Sequence, residues 1–283
     1  MSRLHYEIVD VFTSRPFAGN QLAVVFGADE LSTGQLQALA REFNYSETVF
    51  ALPPTKPGAD YRARIFTPFA ELPFAGHPSV GVAVTQWRRG LVKAGEVVQE
   101  CGAGLLPVVV DESGCATLTG GTPTLSRPFD PAELAGSVGL TSADLVGTPP
   151  RRAGCGLEFD YLHVRRDALS RATPSATAHA SVFAWEPAER TAHARVFAGA
   201  SGVAEDPATG SAALGLGLFL VINGLLPGEG TSSYTVHQGH DMGRPSRLDC
   251  TVTARGGVAV GATVSGQVVA IASGEIVVPP FVG

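Results

Sequence analysis

One short pattern occurs twice in this chain, and it limits the possible folds more than any other feature. Arg64-Ile65-Phe66 returns as Arg195-Val196-Phe197, and Ala75-Gly76-His77-Pro78-Ser79-Val80-Gly81-Val82-Ala83 returns as Ala204-Glu205-Asp206-Pro207-Ala208-Thr209-Gly210-Ser211-Ala212. The common form is R-[IV]-F, a loop, then A-x-[HD]-P-x-x-G-x-A, with loops that differ by two residues. Self-similarity of this kind signals a duplicated structural unit. The length of 283 residues suits two domains of about 150 residues each. The chain therefore reads as two related halves, each a curved sheet around one apolar helix.

The helices in question run Pro78–Arg89, stopping at Gly90, and Pro207–Asn223, stopping at Gly224. Proline at the first position and glycine past the end is the favoured asymmetry of a helix. Apart from the C-terminal end of the first, neither shows a polar stripe, and a helix apolar all round is buried on all sides. The second has no charge from Pro207 to Gly228. Its opening Thr209-Gly210-Ser211 leaves an apolar stretch shorter than the roughly 20 residues a bilayer needs, so it reads as a core helix and not a membrane span. A third helix is expected at Ser32–Phe43, with a capping box between Ser32 and Gln35 and a stop at Asn44. Strands are expected at Leu4–Phe12, Thr48–Leu52, Ala63–Phe66, Leu105–Val110, Tyr161–Val164, Ala194–Phe197, Thr251–Ala254 and Gln267–Val278, with 34 glycines and 20 prolines to turn between them.

Composition removes several function classes. Hydrophobic residues make up 45% and charged ones 16%, so a sizeable core can form and global disorder is excluded. A net charge of −6 argues against a nucleic-acid partner. Cys101, Cys115, Cys155 and Cys250 form no C-x-x-C pair, which gives neither a zinc site nor a disulfide scaffold. The first residues lack the charged-then-apolar pattern of a signal peptide, so a cytoplasmic setting is expected. The two lysines, Lys56 and Lys93, are poorly placed to hold pyridoxal phosphate. Gly102-Ala-Gly104 lacks the rest of a dinucleotide fingerprint, and there is no G-x-S-x-G elbow. His237-Gln-Gly-His240 has no further ligands in sight and reads as a loop, so no metal is expected.

The starts of the two apolar helices carry the chemistry. His77 precedes the proline of one and Asp206 that of the other. Unpaired N–H groups and roughly half a positive charge at each start suit an anion, such as a substrate carboxylate or a developing enolate. Gly76, Gly81, Gly210 and Ser211 are small enough to let a ligand approach the backbone. Taken singly, Asp206 reads as a helix cap and His77 as a loop histidine; their matched positions in a repeat favour function. Glu47 opens the strand Thr48–Leu52 and shares a face with Val49 and Ala51. If that face is inward, desolvation raises its pKa toward the range useful for acid/base catalysis. A lone glutamate is otherwise most often a solvated surface residue.

Several segments together resemble the PhzF-like phenazine-biosynthesis family: Asp10-Val-Phe-Thr…Phe17-Ala-Gly-Asn20, Asn44-Tyr-Ser-Glu47-Thr, Phe66-Thr-Pro…Glu71-Leu-Pro-Phe-Ala-Gly-His77-Pro, Glu205-Asp206-Pro-Ala-Thr-Gly-Ser211 and Gln238-Gly-His-Asp-Met-Gly243-Arg-Pro-Ser246. They span nearly the whole chain in order. Gln21 departs from the pattern, since a proline usually follows Gly-Asn. The resemblance implies an α+β, diaminopimelate-epimerase-like fold of two pseudo-symmetric domains, each a curved β-sheet or barrel round a central apolar helix, with the site in the cleft between them. The expected division is 1–118 with about 270–283, and 119–269. It also implies a homodimer and a cofactor-free isomerase acting on a small carboxylate-bearing substrate, such as a cyclic amino or hydroxy acid. Glu47 matches the family's proton-moving glutamate; His77 and Asp206 match assisting residues; Ser46, Gly76, Gly210 and Ser211 match or adjoin the substrate-holding positions. Epimerases of the wider fold group use two cysteines, one at each central helix, and neither Ala75-Gly76-His77-Pro78 nor Glu205-Asp206-Pro207-Ala208 contains one. The competing readings are an amino-acid racemase or epimerase without a cysteine pair, and a non-catalytic small-molecule binder.

Overall fold

The structure is a computed structural model describing residues 2–199 and 202–280. The chain divides into two compact units, Met1–Leu118 with Ser265–Gly283, and Thr119–Val264.

The first unit runs β1 (Arg3–Val11), β2 (Asn20–Phe26), α1 (Thr33–Phe43), β3 (Glu47–Leu52), β4 (Tyr61–Phe66), β5 (Glu71–Leu72), α2 (Gly76–Arg88), β6 (Gly95–Cys101), β7 (Gly104–Val110) and β8 (Cys115–Thr119). Strands β1 and β2 are antiparallel, β2 and β3 parallel, β3 and β4 antiparallel, and β4 and β6 parallel, with β7 and β8 following antiparallel. The strand Val258–Val277 closes the ring, pairing with both β1 and β8. Helix α2 fills this barrel, buried from Gly76 to Gln86. A Cβ on Gly81 would lie 2.4 Å from Leu22 Cδ2 and 2.9 Å from Val11 Cγ2, so the strands close on the helix only at a glycine. Helix α1 covers the outer face, where Leu36, Leu39 and Ala40 meet Val25, Phe50 and Phe66. Its expected caps are present: Gln35 N–H donates to Ser32 Oγ, Ser32 N–H donates to Gln35 Oε1, and Asn44 ends the helix in the left-handed region.

The second unit runs β9 (Thr124–Leu125), α3 (Pro131–Ser137), β10 (Arg151–Gly154), β11 (Glu158–His163), α4 (Arg166–Leu169), β12 (His179–Glu186), β13 (Thr191–Ala198), β14 (Val203–Asp206), α5 (Gly210–Ile222), β15 (Gly230–Gln238), β16 (Ser246–Arg255) and β17 (Val258–Val277), whose last part belongs to the first unit. The pairings repeat those of the first unit in the same order: β10–β11 antiparallel, β11–β12 parallel, β12–β13 antiparallel, β13–β15 parallel, β15–β16 antiparallel. Helix α5 is buried along Gly210–Val221. Tyr161 and Tyr234 reach it from the sheet, each hydroxyl donating at 2.7 Å, to the carbonyls of Ala212 and Ala213.

The duplicated R-[IV]-F pattern now has a physical meaning. Arg64 forms a fork of two 2.7 Å bonds to Glu71 and lies over the Phe66 ring; Arg195 forms the same fork with Glu205 at 2.8 and 2.7 Å and lies over Phe197. Each pair ties the strand before the central helix to the short strand that leads into it.

The helix starts differ from expectation. Helix α2 begins at Gly76 with Ala75 as its N-cap, so Pro78 and His77 lie inside the first turn. Helix α5 begins at Gly210 with Thr209 as its N-cap, which leaves Asp206 and Pro207 outside. Neither His77 nor Asp206 is an N-cap. Any first-turn position tolerates proline, because those N–H groups have no intrahelical partner, so proline alone does not fix the register of a start.

Candidate active site

In the first unit, three strand and helix starts bring their side chains together at one rim of the barrel. Strands β2 and β3 are parallel neighbours, with Leu22 opposite Glu47, so Asn20 and Glu47 sit at the same end. Left-handed Asn44 turns the chain out of α1 and delivers Ser46 and Glu47 into β3. Gly19, at φ 66°, turns the chain into Asn20; a Cβ there would lie 2.3 Å from the Val11 carbonyl oxygen. His77 comes from the first turn of α2.

Glu47 faces inward, as alternation along its strand requires. Its side chain is 17% exposed, and Oε2 lies 3.6 Å from His77 Nδ1. That oxygen is buried and makes no hydrogen bond. Burial pushes the Glu47 carboxyl up to about 7, against a lowering effect of the Ser46 hydroxyl. Asn20 Nδ2 is 3.3 Å from His77 Nδ1, and the Ser46 hydroxyl donates to Asn20 Oδ1 at 3.2 Å. Glu47, His77 and Ser46 therefore form one cluster, and Gly76 adjoins it as the chain neighbour of His77. Asn20, which closes the Phe17-Ala-Gly-Asn20 segment, joins them, and nothing in the sequence alone assigns it a role.

In the second unit, Asp206 stands just before the loop that leads into α5, and Gly210 and Ser211 are the first two residues of that helix. Asp206 ends β14 and its Oδ2 accepts from the Thr209 hydroxyl at 2.5 Å. Gln238, buried at the end of β15, holds this loop: its Nε2 donates to the Asp206 carbonyl at 2.7 Å and to Thr209 Oγ1 at 3.0 Å, while its Oε1 accepts from Thr209 N–H at 3.2 Å. Gly239 follows with φ 76°; a Cβ there would lie 2.6 Å from the Pro207 carbonyl oxygen. The expected His237-to-His240 loop is thus a strand end, a tight turn and one helical turn, and Gln238 is its working residue. Ser211 is buried in the first turn of α5, whose start carries no side-chain cap.

His237 lies beside His193 and His240, with ring centroids 5.5 and 5.9 Å apart. Among the described residues, no group of three or more His, Cys, Asp or Glu is placed to hold a metal ion. Burial pushes the Cys155 thiol up to about 11 and raises that of Cys250, which makes both poor sources of thiolate. No helix of the described residues is long and apolar enough to cross a membrane.

The chain is similar to several known proteins. The family described as phenazine biosynthesis-like protein, PhzC-PhzF, matches residues 9–274. An uncharacterized isomerase of Mesorhizobium japonicum is 35% identical, over 98% of this chain and 99% of its own length. The trans-2,3-dihydro-3-hydroxyanthranilate isomerase of Pseudomonas aeruginosa is 34% identical, over 95% of this chain and 98% of its own. The crystal structure of a PhzF-family phenazine biosynthesis protein from Bacillus anthracis superposes with a TM-score of 0.85 at 26% identity, covering 98% of this chain and 100% of the other. The α+β architecture is the diaminopimelate-epimerase-like one, and the chain belongs to the PhzC-PhzF family of phenazine biosynthesis-like proteins and is an isomerase.

Proposed function

We propose that this isomerase moves a proton on a small carboxylate-bearing substrate, with Glu47 as the acid/base and without a cofactor. The observation that carries the reading is the buried carboxyl of Glu47, held near neutrality beside His77. A group with its pKa near the working pH exists in useful amounts as both base and acid. Glu47 as carboxylate takes the proton from an activated C–H, and the electron pair of that bond enters the conjugated system of the substrate. The acid proton of Glu47 exchanges with solvent, and Glu47 then returns a proton to another carbon, so the enzyme ends as it began. His77 assists this transfer. Asp206, Gly210 and Ser211 are assigned to holding the substrate, with the uncapped N–H groups of the helix starts taking the carboxylate and the developing negative charge.

The compound named for the Pseudomonas aeruginosa relative, trans-2,3-dihydro-3-hydroxyanthranilate, is the first substrate to test. In heavy water, turnover places deuterium on the product carbon. The rate rises with pH through about 7, because the first step needs ionised Glu47. Glu47→Gln abolishes both isomerisation and deuterium uptake. Full exchange in that variant would remove Glu47 from the mechanism.

A further inference from the structure

We infer that Asn20 is a positioning residue that keeps His77 Nδ1 a bare acceptor, so that the single proton carried by the His77 and Glu47 pair resides on Glu47. This rests on the acid/base role proposed for Glu47 and adds how the resting proton is placed.

Asn20 opens β2 and is 2% exposed. An amide oxygen only accepts hydrogen bonds and an amide nitrogen only donates them. The Ser46 hydroxyl donates to Oδ1, which turns Nδ2 toward His77 Nδ1 at 3.3 Å. Against a donor, Nδ1 presents its lone pair, and the ring hydrogen of the neutral imidazole lies on Nε2. The tautomer is thus assigned from the hydrogen-bond network. Glu47 Oε2 is 3.6 Å from the same Nδ1. A bare nitrogen facing a bare carboxylate is repulsive, and one proton between them removes the conflict. On Nδ1, that proton would point an N–H group toward the Asn20 amide, donor against donor. On Glu47 it leaves both approaches to Nδ1 attractive.

The groups facing Glu47 are His77 from α2, Asn20 from β2 through His77, and Ser46 from the turn before β3. Among the described residues, no Arg or Lys nitrogen lies within 4 Å of it to draw the proton off. Burial acts in the same direction as Asn20, by disfavouring the carboxylate.

The test is nitrogen NMR of the protein labelled with ¹⁵N-histidine, with the His77 signals assigned by His77→Gln. At pH 6 to 8, the wild type is expected to show Nε2–H and a bare Nδ1. In Asn20→Ala the barrier to an Nδ1 proton is gone. The Nδ1–H form becomes populated, His77 pairs with ionised Glu47, and the acidic limb of the exchange rate moves down by about one pH unit or more. A wild-type His77 with its proton on Nδ1 overturns the inference. So does an Asn20→Ala protein in which both the tautomer and the limb stay where they were. The wild-type spectrum does not depend on turnover, so a protein that fails to exchange deuterium would sink the proposed function and leave this reading to be judged separately. It is also decisive if Asn20→Ala fails to fold.

Discussion

The two units share a scaffold and differ at its rim. Both have the arginine–glutamate fork, the arginine over phenylalanine and the buried central helix. Strand register then shows what stands at equivalent positions. In the first unit Phe66 is opposite Thr48, so Glu47 lies one residue before that partner. In the second unit Phe197 is opposite Ala180, so the equivalent of Glu47 is His179. His179 stacks on Phe159 at 4.5 Å, and its Nε2 is 2.9 Å from the Glu158 carbonyl oxygen. Likewise His77 in one repeat stands where Asp206 stands in the other. Duplication has kept the parts that hold the sheet to the helix, while the rim positions carry different chemistry. A desolvated acid beside an imidazole is present in the first unit; the stacked ring of His179 in the second has another surrounding.

The largest expected effect tests that asymmetry directly. Loss of general acid/base catalysis costs about 10²- to 10⁴-fold. Glu47→Gln should lose at least that much isomerisation, whereas His179→Gln should change the rate less than about threefold, a margin small beside that range. Equal losses in the two variants would show that the rim of the second unit shares the proton transfer.

The next effect is on stability, and its sign follows from the raised pKa. Folded Glu47 titrates near 7 in place of 4.5, so the folded state binds this proton more tightly than the unfolded chain does. Its stabilising contribution is complete below about pH 4.5 and is lost as the pH rises through 7. At pH 8 to 9 the wild type must keep a buried carboxylate that glutamine would avoid. Glu47→Gln should then be the more stable protein by about 2 to 3 kcal/mol, a difference that vanishes near pH 4. Urea unfolding at the two pH values measures it. A variant less stable at pH 8 would mean that Glu47 is better solvated than its 17% exposure indicates.

The central helices offer a third contrast. Helix α2 buries Ser79, Thr85 and Gln86, and Gln99 reaches in to donate to Ser79 Oγ at 2.9 Å. Helix α5 buries hardly any polar side chain beyond Ser211 and takes its polar contacts from the two tyrosines. A Cβ at Gly215 would lie 2.3 Å from the Tyr161 hydroxyl and 2.9 Å from the Ala153 carbonyl oxygen, a backbone atom that cannot swing away. At Gly81 the obstacles are the side-chain tips of Leu22 and Val11. Gly215→Ala should therefore cost about 2 to 3 kcal/mol and Gly81→Ala about 1 to 2, because overpacking is relieved more easily by side chains than by backbone. The reverse order in thermal or urea unfolding would mean that the second barrel is the more compliant.

Much of this was legible in the sequence, for identifiable reasons. The capping box at Ser32 and Gln35 and the left-handed stop at Asn44 are local chemistry, and α1 follows them. The duplicated pattern located both central helices, although proline misplaced their first residues. Strands β2, β6, β8, β10, β12 and β15 are absent from the strands expected from sequence; β2 and β12 are buried along most of their length and lack the alternation that marks a half-exposed strand, whereas β15 alternates and was legible in principle. Motif and alternation single out Glu47, and the repeat singles out His77, but their approach depends on β3 and α2, whose contact no local pattern encodes. Asn20 and Gln238 were visible as residues, and their roles became readable only when long-range hydrogen bonds showed what they hold.

The smallest effect concerns a single hydroxyl. Tyr161→Phe removes a donor from the Ala212 carbonyl, which lies within α5 and retains a second lone pair for its helical bond. The loss is one neutral hydrogen bond, about 1 kcal/mol. The same hydroxyl is the nearest obstacle to a Cβ at Gly215. Removing it gives part of the space an alanine needs, although the Ala153 carbonyl stays in the way. Tyr161→Phe combined with Gly215→Ala should then be less destabilised than the sum of the single changes, by about 0.5 to 1 kcal/mol, as expected for residues in direct contact. Strict additivity in the cycle would mean that the backbone around Ala153, and not the phenol, fixes how closely the sheet approaches this helix.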